Sequence, residues 1–252
     1  MSGPPSTASG AGPRDSLTAA LPSVLAAVAL VLWGSFSWAV PAPPERADLL
    51  LSSALVLALL GLLVWGMLPL RRLGRRLPLL TAAALPLAVL FVWLGWVPLA
   101  NVAKIVAAAA LGIWIADELE RLSWIVVVAV VSAVVDVVSV AAGPTKAILG
   151  QGPVVVGYFT VAATWAGYTY HEAFTGLGIS DVIFFALYLA TAQRFCLRVG
   201  WSAVAMVASF LGTIAVAMWW TALPALPLLS AAFLAVNADL LIAKLRGHAS
   251  AG

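Results

Sequence analysis

The sequence predicts an all-α, polytopic transmembrane helix bundle of about eight to nine helices, with a short β-hairpin set before one of the later helices. Three observations lead there. Of 252 residues, 63% are hydrophobic and only 9% are charged, against about 25% charged in a water-soluble domain. Such a chain cannot cover a water-facing surface, so most of its exterior must meet lipid. The apolar residues fall in runs close to the roughly 20 needed to cross a hydrocarbon core ~30 Å thick, and Pro-rich or charged breaks separate the runs.

Composition also removes whole classes of function. The net charge of +3 marks topology through arginines flanking apolar runs, not a nucleic-acid footprint. The expected partner at this level is the lipid bilayer, with no nucleic acid. A single cysteine, Cys196, rules out an intrachain disulfide framework. No Cys/His cluster has zinc spacing, and no Gly-rich loop ends in Lys-Ser/Thr. No metal and no cofactor are therefore expected, which weighs against a metalloprotease and an ATP-driven pump.

Taken in order, residues 1–16 are rich in Gly, Pro and Ser and read as a disordered tail. The first apolar run is long and lacks a small-x-small cleavage site, so it reads as a retained anchor. Spans are expected near 17–40, 48–69, 78–99, 102–117, 123–142, 177–196, 200–220 and 222–243; the fourth is short and carries Lys104. The breaks are PAPPER at 41–46, LRRLGRR at 70–76, DELER at 117–121 and GPTK at 143–146. Residues 17–122 form an amino-terminal block, 123–243 a second block that carries the chemistry, and 244–252 a tail. With eight spans, ten Lys and Arg residues fall on one side and three (Arg46, Lys104, Lys146) on the other. Positive charge collects on the cytoplasmic side, so both termini are expected there. Residues 153–170 are short for a span and rich in β-branched and aromatic residues, which suits a strand or a membrane-edge hairpin. If they cross the bilayer instead, the downstream topology inverts.

Two acids stand inside apolar runs. Asp136 follows about a dozen apolar neighbours, and an aspartate at a helix centre costs roughly 2.5–3.5 kcal/mol to insert. Ser132 and Ser139 lie at i−4 and i+3, so the three share one polar stripe that should face protein. A packing carboxyl bonded to a neighbouring helix is the other reading. Asp181 lies near the start of its span, with Gly178 at i−3 and Tyr188 at i+7; an acid in a first helical turn also simply complements the dipole. If the two meet, they cannot both ionise cheaply in low dielectric and must share one proton. The ionised member can then activate water while the protonated member protonates a carbonyl. The third element is the pair Pro224 and Pro227, which pushes Leu223 and Leu226 toward extended conformations. Non-helical backbone at membrane depth lines a cavity or lies buried in protein; prolines in a first helical turn are the alternative.

These segments, in this order, resemble the presenilin family of intramembrane aspartyl proteases, in the superfamily that includes signal peptide peptidase. Asp136-Val137-Val138-Ser139 followed by Gly143-Pro144-Thr145-Lys146 is similar to the family's first catalytic helix and its exit. Gly178-Ile179-Ser180-Asp181 is similar to the Gly-x-Gly-Asp motif, and Pro224-Ala225-Leu226-Pro227 matches the Pro-Ala-Leu-Pro motif letter for letter. The resemblance covers roughly residues 110–243. Val135 stands where the family usually has Tyr, and Ser180 where it has Gly. Alternatively, Gly176-Leu177-Gly178 is the motif and two residues precede the acid as an insertion. The family has nine spans against eight counted here, and the charge count places the catalytic helices in the sense of the signal-peptide-peptidase relatives.

The resemblance implies a catalytic pair, Asp136 and Asp181, with Gly178, Ser180, Pro224, Ala225, Leu226 and Pro227 touching substrate. The substrate would be a transmembrane segment of another protein, which must unwind before attack. An edge strand within 153–170 is a candidate to pair with that unwound segment by β-augmentation. A proton-coupled transporter accounts for Asp136, Asp181 and Lys104 but leaves the double-proline motif without a role. A catalytically inactive scaffold that binds single-span proteins is a further reading, and a prepilin-peptidase-like enzyme a more distant one.

Overall fold

In the computed structural model, residues 13–143, 153–219 and 223–249 are described. The order is α1 (Pro13–Phe36), α2 (Glu45–Met67), α3 (Leu77–Trp93), α4 (Val97–Glu118), α5 (Leu122–Ala142), α6 (Pro153–Phe159), β1 (Thr160–Thr164), β2 (Phe174–Gly178), α7 (Ile179–Arg194), α8 (Val199–Ala217) and α9 (Leu226–Ala249). Among the described residues, six stretches are long and apolar enough to cross a membrane, one of them running from Glu45 to Trp93. That stretch is interrupted by 3-10 turns over Leu68–Arg76, where Gly74 takes φ +48°, a conformation open mainly to glycine. Exposed tryptophans stand at helix ends: Trp38 after α1, Trp65 in the last turn of α2, Trp93 and Trp96 between α3 and α4, Trp124 and Trp201 at the starts of α5 and α8, and Trp219 after α8. Tryptophan favours such membrane–water boundaries.

Two expected tails are shorter than the sequence suggested. Helix α1 starts at Pro13, inside the stretch read as tail, because proline fits a first helical position. Helix α9 runs on to Ala249; Lys244 and Arg246 stand near its carboxyl end, where cations complement the exposed carbonyls. GPTK at 143–146 lies outside the described residues beyond Gly143.

The core forms where small residues let helices close up. Helix α4 carries Ala107–Ala110 and Gly112, all but fully buried, and packs along α3 and α7. A side-chain carbon at Gly112 would collide with the Ile183 carbonyl and crowd Ala186, so α4 and α7 touch nearly backbone to backbone. Helix α5 is the opposite case: its partner is chiefly α9, and Val130, Val131, Val134, Val135 and Val138 are exposed.

Residues 153–170 do not form a span. They supply α6, β1 and the start of a turn, and β1 pairs antiparallel with β2 in the register Thr160↔Gly178 through Thr164↔Phe174. Leu177 and Gly178, expected to open a helix, end β2 instead. The helix begins at Ile179, so α7 has 16 residues.

Candidate active site

Asp136 sits about two-thirds of the way along α5, half-buried. Its Oδ2 accepts the Leu226 N–H at 3.0 Å, and the Ala225 N–H also bonds to this carboxyl. The cause lies in the proline pair. Pro224 and Pro227 have no N–H to give, and Leu223–Ala225 are non-helical just ahead of α9. The amides of Ala225 and Leu226 are therefore left without intrahelical acceptors, as at any helix start, and both turn to Asp136.

Asp181 occupies the third position of α7 and is 8% exposed. Gly178 precedes the helix at φ −62°, ψ 141°, and its N–H bonds back to the Asp181 carboxyl. This is the return half of a capping box, in which an acid at the third helical position holds the N-cap amide. The expected first-turn role of Asp181 is thus present alongside any chemical one. A Cβ at residue 178 would stand 3.0 Å from Asp181 Oδ2 and 3.4 Å from Ser180 Oγ, so a side chain here would push on the carboxyl.

Both acids line one cavity of about 360 Å³, together with Gly178, Ser180, Pro224 and Ala225, and the two carboxyls interact electrostatically. Leu226 and Pro227 do not line it. Leu226 is buried and acts through its amide, while Pro227 lies in the first turn of α9, the alternative role for a proline there. Sequence reasoning missed other walls: Thr160 and Thr175 from the hairpin, Phe210 and Ile214 from α8, and Met218 just past the end of α8. Ordinary apolar and hydroxyl residues on strands and helices carry no local signal of lining a site.

The hairpin reverses one expectation. The edge of β1 is not free. Asn101 donates to the Ala162 carbonyl and accepts its N–H, at 2.8 and 3.1 Å. Lys104 Nζ donates to the Gly157 carbonyl at 2.9 Å and to that of Thr160, and Trp33 donates to that of Thr164. Buried Asp48 holds the Ala166 N–H just beyond. The β-augmentation expected within 153–170 therefore has no open backbone to use. The open edge belongs to β2, where Phe174, Gly176 and Gly178 turn their backbone groups away from β1 and the two glycines meet the cavity.

Beneath the acids lies a buried hydroxyl relay. Tyr188 Oη lies 2.8 Å from Ser230 Oγ and 3.3 Å from Ser132 Oγ. It joins α5, α7 and α9, the three helices that carry Asp136, Asp181 and the proline segment. Its ring stacks on Phe233 at 4.8 Å. Ser132 and Tyr188 belonged to the polar faces read from sequence; Ser230 did not. Among the described residues no group of three His, Cys, Asp or Glu could hold a metal ion.

No protein-family model, curated protein or solved structure matches the chain. What the site does must be argued from its own geometry.

Proposed function

We propose that this chain is a multi-pass intramembrane aspartyl protease of the presenilin type, hydrolysing peptide bonds in transmembrane segments of other proteins. The observation that carries the reading is the convergence of Asp136, Asp181 and the Pro224–Leu226 backbone on one cavity. In eight spans, α2 and α3 count separately, and α7 with β2 makes one crossing. Sixteen helical residues reach ~24 Å and five strand residues ~16 Å, enough for a ~30 Å core.

In this reading the dyad holds one proton. Asp136, facing two amide donors, is the ionised partner and takes a proton from water as the oxygen attacks the scissile carbonyl. Asp181 gives its proton to the carbonyl oxygen. As the tetrahedral intermediate collapses, the C–N bond breaks, the amine leaves with a proton from Asp136, and a hydroxyl of the intermediate returns its proton to Asp181, which restores the dyad. An unwound substrate strand would lie along β2, with its backbone meeting Gly176 where no side chain intervenes.

The test is cleavage of a single-span substrate in proteoliposomes. Asp136→Asn and Asp181→Asn should each abolish cleavage while leaving the melting temperature of the detergent-solubilised protein near that of wild type. The rate should be bell-shaped in pH. Raising pH removes the shared proton and with it the acid; lowering pH protonates both carboxyls and removes the base. Binding of the substrate without cleavage by the wild-type protein would leave the inactive scaffold. Proton-coupled solute uptake lost in the same two variants would make the chain a transporter.

A further inference from the structure

A second cavity, larger than the one with the acids, lies elsewhere in the bundle. It measures about 820 Å³ and opens at the arginine-rich end, among the amino terminus of α5 and the carboxyl ends of α7 and α9. Arg121, Arg194 and Lys244 line it against one acid, Glu120, with Leu122, Phe195 and Leu245 as apolar wall. Arg194 spends some of its guanidinium on the carbonyls of Ala116 and Asp117, at 2.7 and 2.6 Å. Arg121 has no ion-pair partner among the described residues. It also sits where a cation is least welcome, as the residue preceding α5, whose first turn has no acid and no side-chain cap. Lys244 already has a partner, so the excess of positive charge that calls for an anion rests on Arg121 and Arg194 against Glu120.

The position says which anion. Leu122 opens one apolar span and Lys244 and Leu245 close another, so the cavity stands at headgroup depth. Trp124, exposed near the start of α5, marks the same boundary. Basic pockets between helices at this level suit phospholipid phosphates. We propose that this cavity binds the phosphate of an anionic phospholipid, with Arg121 and Lys244 on the phosphate and Leu122, Phe195 and Leu245 beside the glycerol and acyl carbons. The lipid would bridge α5 to α7 and α9 at the end opposite the hairpin. The site stands on its own geometry, whether or not the chain cleaves substrates.

Cys196 lines the cavity, is exposed, and is the sole cysteine of the chain, which makes it a reporter. The experiment is the rate of Cys196 alkylation by a neutral maleimide, with the full chain in nanodiscs of phosphatidylcholine alone or with phosphatidylglycerol. Phosphatidylglycerol should slow alkylation about fivefold or more in the wild type. Arg121→Gln with Lys244→Gln should lose most of that protection. Arg75→Gln with Arg76→Gln, which removes equal charge elsewhere on the same face, should keep it. Equal rates in both discs, or equal protection in all three proteins, would overturn the site. Protection by inorganic phosphate in phosphatidylcholine discs would overturn the lipid assignment in favour of a soluble anion. A melting temperature for each variant, taken in phosphatidylcholine, separates a lost site from a lost fold.

Discussion

Helices α4 and α5 are neighbours in sequence, with 22 and 21 residues, and each carries one ionisable residue at depth. Yet 61% of the α4 span is buried inside the protein against 17% of α5. Alanine and glycine let α4 press against α3 and α7, and Lys104 spends its charge on two carbonyls that anchor the hairpin. Valines turn α5 toward lipid, and Asp136 meets a cavity and two backbone amides instead. The same device, a charge inside an apolar helix, is structural in one and available for chemistry in the other. The two acids are therefore mounted differently: Asp181 on a helix locked to α4, Asp136 on a helix held chiefly through α9 and the Tyr188 relay.

That contrast can be broken at its tightest point first. Gly112→Val should cost about 3 kcal/mol or more, since overpacking here must push the α4 and α7 backbones apart. Thermal melting in detergent would show it, and a loss under about 1 kcal/mol, the low end for overpacking, would mean that α4 and α7 are not locked. Next, Gly178→Ala should reduce cleavage at least tenfold with little change in melting temperature, because the added methyl meets the Asp181 carboxyl and spares the core. Tyr188→Phe should cost about 1–2 kcal/mol through two lost hydroxyl partners. It should also lower kcat more than it raises KM, as α5 loses its tie to α7; an unchanged kcat would confine Tyr188 to packing. Last and smallest, Val135→Ala faces lipid and should stay within about 0.5 kcal/mol of wild type.

Much of this molecule was legible in the chain itself. Apolar run length located the long helices, with ends off by up to about six residues, since a bilayer sets a similar length for any span. Asp136 and the Pro224–Pro227 pair stood out because each breaks a local rule that lipid enforces. The hairpin was less legible. Residues 153–170 read as a strand or hairpin from their composition, but only 160–164 are strand; their partner at 174–178 contains two glycines and abuts a helix, so the apolar run assigned its end to that helix. Asp48 and Asn101 gave no warning of their hold on the hairpin, because a first-turn acid and a lone amide look ordinary in any helix.

The chain alone determined where helices run and which residues lipid would not tolerate, because the cost of placing a charge or a bare amide in hydrocarbon depends only on the residue and its neighbours. Which partner each such residue found was decided by the tertiary structure. The capture of Asp136 by amides about ninety positions away, the closing of the β1 edge and the opening of the β2 edge depend on the docking of distant helices, and no local pattern encodes that.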